Sequence, residues 1–312
     1  MGKYRVWILL VLCNLFWAGN YVIGKYVVAE VTPLMITFSR WLMASFLLLG
    51  IASYFEKPKW RVVIKEWPLL TTLGILGIIG YNLALYSALD YTSSTNASLV
   101  NALNPGVIVI CSTIILKEKF SKLQGTGIIL SLLGVIVILT GGNVSKLFEV
   151  EYNKGDLLMI VAIVTWALYS VLGKKLKNTP PITASGLSAL IATIIMAPFV
   201  MSQGIDVREL SSLAINGILY MTIFPSVLSF IFWNVAIRQI GANQTGIFLN
   251  LIPVFTAIIS WILGNNITMV QLSGGALVFI GVYLATGMLE RKIKEYKTRK
   301  NEESIESITK VS

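Results

Sequence analysis

Runs of about 20 apolar residues, separated by short polar links, follow one another along the whole chain. A helix rises about 1.5 Å per residue, so about 20 residues cover a hydrocarbon core about 30 Å thick. On that ruler the pattern predicts ten helical spans, at 6–29, 33–54, 68–89, 95–116, 122–141, 155–175, 182–201, 211–237, 243–264 and 270–289. The first run opens on Lys3 and Arg5 like a secretory signal. It continues to Ala29 without a small-residue cleavage site after a short core, so it reads as a retained helix. After Glu290 the chain turns polar, "RKIKEYKTRKNEESIESITKVS", and 290–312 reads as a charged tail. The expected fold class is an all-α integral membrane protein of ten transmembrane helices.

The pattern also repeats. "NLFWAGNYVIGKY", 14–26, is echoed by "TWALYSVLGKK", 165–175. Trp17, Ala18, Val22, Gly24 and Lys25 align with Trp166, Ala167, Val171, Gly173 and Lys174. "LNP" ending at Pro105 matches "LIP" ending at Pro253, and Gly127 and Gly134 match glycines at 274 or 275 and 281. Two units result, 5–141 and 155–289, each with five spans. An odd number of crossings makes the second unit enter from the opposite side, so the two are expected as inverted repeats. Transporters built this way bind solute near the midplane, between the repeats.

Polar and amphipathic side chains lie deep within particular spans. Asn14, Trp17, Tyr21 and Gly24 share one helical face, with Asn20 a second deep amide. Trp166 and Tyr169 stand at corresponding depth in the sixth span. Asn82 and Tyr86 are i, i+4 neighbours in the third, and Asn101 and Asn104 precede Pro105 in the fourth. Trp233 with Asn234, and Asn250 before Pro253, complete the set; Trp233, close to a span end, reads equally as an interface anchor. Lipid offers no hydrogen bonds, so this set predicts a shared polar cavity. The paired prolines predict matched bends, and the glycines close helix packing. Arg40 is the one charge committed to a span interior and a candidate for solute contact, because burying a charge is costly. It also reads as a side chain that snorkels or pins carbonyls. Asp90, Asp156 and Glu118 stand at span ends and read as solvated.

Composition narrows the functions. Of 312 residues 55% are hydrophobic and 13% charged, about half the charged share of soluble domains. The net charge of +10 does not imply nucleic acid. With both termini in the cytoplasm, 20 Lys and Arg fall inside and 4 outside, the bias that sets orientation in the cell membrane. No histidine occurs, and Cys13 and Cys111 lie 98 residues apart. Neither a metal site nor another cofactor is expected, nor an enzyme, which would need a nucleophile with its base or a metal. The expected partners are the lipid bilayer and a small neutral or zwitterionic solute. Oligomeric state is not legible.

The repeated tryptophan phrase, "FSRWLMASFLLLG" in the second span, and the proline spans followed by glycine-rich ones together resemble the drug/metabolite transporter superfamily. The likeness is to its ten-helix EamA-type exporters and runs from 5 to 289. It implies a central cavity lined by spans 1, 3, 4, 6, 8 and 9. The chain departs from the usual Gly-Glu end of the fourth span, keeping Glu118 in "LKEK", and ends the ninth in "LGNN" with no acid. Substrate binding is accordingly expected at Trp17, Asn20, Tyr21, Arg40, Asn82, Tyr86, Asn101, Trp166, Tyr169, Trp233 and Asn250. The expected activity is export of amino acids or related metabolites by alternating access. A nucleotide-linked or sulfonium metabolite, or a passive channel, remain the alternatives. Without a titratable acid at mid-span, facilitated diffusion or exchange is expected rather than proton antiport.

Overall fold

The computed structural model describes residues 3–92, 94–119, 121–143, 145, 153–203, 210–264, 268–285 and 289. The expected tail at 290–312, most of the 142–154 link, Arg208, Asn265 and Asn266 lie outside the described residues.

Helix occupies each stretch that the hydrophobic pattern marked. The helices are α1 (Lys3–Val27), α2 (Pro33–Phe55), α3 (Trp60–Tyr91) and α4, in two pieces, Ser94–Asn101 and Asn104–Leu116. There follow α5 (Lys122–Thr140), α6 (Lys154–Gly173), α7 (Pro181–Gln203), α8 (Ser212–Ile240), α9 (Ala242–Ile262) and α10 (Met269–Ala285). Among the described residues seven are long and apolar enough to cross a membrane unaided, and the shorter apolar helices lie in α4, α5 and α10. The chain is thus an all-helical multi-pass membrane protein.

Local chemistry sets the helix ends. Thr32 accepts from the Met35 amide, with Pro33 at the first helical position, where its missing N–H costs nothing. Ser121 with Gln124, and Asn153 with Asp156, form reciprocal capping boxes at the starts of α5 and α6. The two prolines mark matched breaks. The turn at 102–103 immediately precedes Asn104 and Pro105, and a 3₁₀ stretch, Ile247–Asn250, leads into the segment holding Pro253.

The contacts fix relative direction. Lys25 at the end of α1 donates to the carbonyls of Leu89 and Thr92 at the end of α3, so α1 and α3 run parallel. On α3, Tyr81 packs on Trp166 while Thr92 reaches Asp156 at the start of α6, so α3 and α6 run antiparallel. It follows that α1 and α6, which carry the repeated phrase, run in opposite directions. The glycine-rich helices α5 and α10 are antiparallel neighbours. A Cβ on Gly134 would sit 2.6 Å from the Gly274 carbonyl oxygen, and one on Gly281 would sit 2.4 Å from the Ser131 amide nitrogen. Only glycine lets the two backbones approach so closely.

One further repetition was not foreseen. Both α3 and α8 contain a seven-residue π-helical stretch, Gly74–Gly80 and Thr222–Leu228, with starts and ends 148 residues apart. Such widened turns displace the backbone ladder and are frequent at functional sites. Here they frame the centre of the molecule.

Candidate functional site

Three tryptophans from three helices meet between the π-helical stretches. Trp17 of α1 stands 5.1 Å, centroid to centroid, from Trp166 of α6 and 5.2 Å from Trp233 of α8. Trp166 lies 5.4 Å from Trp233 and 5.1 Å from Tyr169. Phe230 and Tyr81 close the cluster, 5.4 Å and 4.9 Å from Trp166. Edge-to-face and tilted pairs of this kind each stabilise by about 0.5–1.5 kcal/mol beyond burial. Trp233 is completely buried here, which overturns its reading as an interface anchor. Its position near a span end misled because the ring points inward, toward Ser170, which accepts from its indole at 3.1 Å.

The three indoles are not equivalent. Trp17 donates to the carbonyl of Pro225, within the second π-helical stretch, at 3.2 Å. The residue 148 positions earlier is Gly77, whose carbonyl already accepts from the Asn82 amide. Trp166 is 2% exposed, and its indole nitrogen has no hydrogen-bond partner among the described residues. A buried donor left this way is costly, about 1–3 kcal/mol, so it marks a place where a further group is wanted.

A polar cluster stands to one side of the rings. Arg40 is 2% exposed and does not snorkel. Its Nε donates to Ser226 Oγ at 2.8 Å, and its Nη1 donates to Asn20 Oδ1 at 3.1 Å and to the Tyr86 hydroxyl. Tyr86 in turn donates to Asn20 at 2.8 Å. Beyond the rings a second cluster answers the first: Asn234 donates to the Tyr169 hydroxyl at 2.7 Å and to Ser185 Oγ at 3.1 Å. Asn20 and Tyr169 each follow a repeated tryptophan by three residues, and Tyr86 and Asn234 are 148 apart. Amide and phenol have exchanged helices while the hydrogen bond between them persists.

Of the eleven expected residues, Trp17, Trp166, Tyr169 and Trp233 form the aromatic centre, and Asn20, Arg40 and Tyr86 form the adjoining polar cluster. Tyr21 is fully buried beside Asn20, its hydroxyl facing that of Tyr81. The other three are otherwise engaged. Asn82 donates to the carbonyls of Gly77 and Ile78 on its own helix. Asn250 donates to Ser131 of α5 at 2.9 Å, and Asn101 accepts from Asn104 at 3.3 Å. Asn250 Oδ1, Asn101 Nδ2 and Asn104 Oδ1 have no partner among the described residues. Phe230, Tyr81, Ser226 and Asn234 were left out of the expected site. The repeat register could have supplied Asn234, as the counterpart of Tyr86. A cavity of about 570 Å³ lies elsewhere, between the start of α2, α3 and the end of α7, lined by Thr32, Leu83, Phe199 and Gln203 among others. It includes none of the eleven.

Of the three span-end acids Asp90 is exposed, as expected, while the other two are engaged. Glu118 pairs with Lys174 and accepts from the Asn243 amide at 3.3 Å, joining α4, α6 and α9. Asp156 is buried in the α6 cap. Lys174 is the repeat counterpart of Lys25, so the two lysines tie opposite ends of the bundle by different bonds.

The EamA-like transporter family matches residues 5–140 and again 153–287. The chain belongs to that family. An uncharacterized transporter, YyaM, of Bacillus subtilis (strain 168) is 32% identical over 302 residues, which is 96% of this chain and 98% of the relative. An uncharacterized transporter of Archaeoglobus fulgidus is 29% identical, covering 89% of this chain and 96% of its own length. A solved crystal structure superimposes with a TM-score of 0.76 over 94% of this chain and 99% of the other, at 20% identity, and so shares the fold of this EamA-family protein.

Proposed function

We propose that this EamA-family protein is a secondary carrier that moves small organic solutes, amino acids or related metabolites, out of the cell. The observation that carries the reading is the central cluster: aromatic faces from α1, α6 and α8 at mid-depth, beside polar atoms left without partners. Indole and phenol faces suit the apolar part of an amphipathic solute, and the free polar atoms suit its head. Lining roles are assigned to Trp17, Tyr21, Trp166, Tyr169 and Trp233, with Asn20, Arg40 and Tyr86 at one side. Asn82, Asn101 and Asn250 hold the surrounding helices.

In this reading the units 5–141 and 155–289 are inverted five-span repeats that rock about the cluster. The opposite courses of α1 and α6 support it, as does the polar pair recurring on either side of the rings. All ten helices span the plasma membrane, the three shorter ones with help from their neighbours, and both termini and the tail face the cytoplasm. The Lys and Arg bias supports that orientation. Transport runs down the solute's own gradient or by exchange, since the central cluster holds no carboxylate.

The test is counterflow in proteoliposomes. Saturable uptake of a labelled amino acid or metabolite into vesicles preloaded with the same unlabelled solute is expected. A pH gradient alone should concentrate nothing. Uptake that never saturates would favour a channel, and accumulation abolished by a protonophore would refute the uncoupled mechanism.

A further inference from the structure

We infer that the carrier recognises its solute through a carboxylate held by Arg40, and that the solute's ammonium group, where it has one, is dispensable. The inference rests on the carrier reading above and narrows it to one chemical class, apolar carboxylates with or without an α-amino group.

Three observations lead there. First, every partner of Arg40 is neutral: a hydroxyl, an amide oxygen, a phenol, and the ring faces of Trp41 and Tyr86 at 5.4 and 5.6 Å. The ion pair found among the described residues is Lys174–Glu118, at the far end of α6. A guanidinium buried without a counter-ion is expensive, and an intramembrane charge is retained where it meets an ion or a substrate. Second, guanidinium carries five donors in a fixed planar fork. Nε and Nη1 are engaged, whereas Nη2 donates no hydrogen bond among the described residues. The two Nη2 N–H groups therefore remain to be met; a carboxylate can accept from them, whereas an ammonium, itself a donor, cannot.

Third, the partners of Arg40 lie beside the rings. Ser226, which binds Arg40 Nε, directly follows Pro225, which accepts from the Trp17 indole. Asn20, which binds Nη1, follows Trp17 by about one helical turn. A solute anchored at Arg40 therefore lays its apolar body on Trp17 and Trp166. A buried donor without a partner among the described residues, the Trp166 indole, belongs to the same neighbourhood. No carboxylate among the described residues belongs to the cluster. Only neutral acceptors are left for an ammonium, and those make weaker hydrogen bonds than charged ones.

The experiment titrates purified full-length protein in detergent with three probes sharing one tail, read by tryptophan fluorescence. The probes are 4-methylpentanoate, leucine and 3-methylbutylamine: carboxylate only, zwitterion and ammonium only. Wild type should bind the first two with affinities within about tenfold of each other and the amine at least about tenfold more weakly. Losing a charged hydrogen-bond donor should weaken binding of both carboxylates by roughly tenfold to hundredfold in Arg40→Gln, leaving the amine unchanged. Arg40→Lys, which keeps the charge but not the fork, should fall between. Should Arg40→Gln fail to fold, the wild-type ranking and Arg40→Lys still decide.

The proposal is overturned if the amine binds wild type as tightly as 4-methylpentanoate, if neither carboxylate binds, or if folded Arg40→Gln keeps wild-type affinities. Counterflow of the same probes separates the two readings. Carboxylate binding without counterflow removes the carrier and leaves the site. Counterflow of amines or uncharged solutes without carboxylate binding removes the site and leaves the carrier.

Discussion

Replacing Trp17 and Trp166 by phenylalanine, one at a time, should separate a ring that holds the fold from a ring that serves the solute. Each change removes a similar volume from one aromatic cluster, so the packing cost is similar in both. The difference lies at the indole nitrogen. In Trp17→Phe the Pro225 carbonyl loses its donor at 3.2 Å, and a buried acceptor left unpaired costs about 1–3 kcal/mol. In Trp166→Phe no internal hydrogen bond is broken, because that nitrogen has no partner among the described residues. Trp17→Phe should therefore melt lower than Trp166→Phe by the equivalent of about 1–3 kcal/mol. Transport should show the reverse. Trp166→Phe removes a donor that a bound solute can use, and half-saturation in counterflow should rise about two- to tenfold, as for one neutral hydrogen bond. Thermal unfolding in detergent and counterflow on the same preparations supply both numbers. Equal melting of the two variants, or a lower value for Trp166→Phe, would refute the assignment of these two rings.

Three further outcomes follow from the fold. Single cysteines replacing Lys59 and Lys146 should label from opposite sides of the membrane; labelling from one side removes the inverted-repeat reading. Gly134→Leu places its Cβ 2.6 Å from the Gly274 carbonyl and must force α5 and α10 apart. It should lower stability by at least about 1–3 kcal/mol, the usual cost of overpacking, and an unchanged melting curve would show that the helices separate freely. Glu118→Lys or Lys174→Glu alone should slow counterflow several-fold by placing like charges together, and the double exchange should restore it. A double variant no better than the singles would mean that the ion pair does not link α4 to α6 during transport.

Much of this protein was legible because the information is local. Whether 20 successive residues can cross a hydrocarbon core depends on those residues and the bilayer alone, so the helices lie where the hydropathy pattern placed them. The recurrence of Trp17 as Trp166, and of Pro105 as Pro253, is likewise written along the chain. So is the glycine spacing, which needs only the helical period to become a flat, close-packing face. The resemblance to EamA-type transporters rested on these same features, and the family comparison agrees with it.

What packing decided was the partner of each polar group. Asn82 and Arg40 were equal candidates in the sequence, one amide and one guanidinium at depth. Asn82 turned to its own helix because the π-helical stretch leaves the Gly77 and Ile78 carbonyls within its reach, a distortion no hydrophobic period announces. Asn250 was taken by Ser131, 119 residues away. Trp233 points inward because α8 is turned to meet Ser170 of α6, and rotation about a helix axis is fixed by neighbours rather than by residues along it. Arg40 stayed buried because Asn20, Tyr86 and Ser226, from three other helices, converge on it. Hydrophobic burial acts on each helix separately and can be read one helix at a time. A hydrogen bond needs two atoms placed within about 3 Å, and only the assembled bundle brings them there.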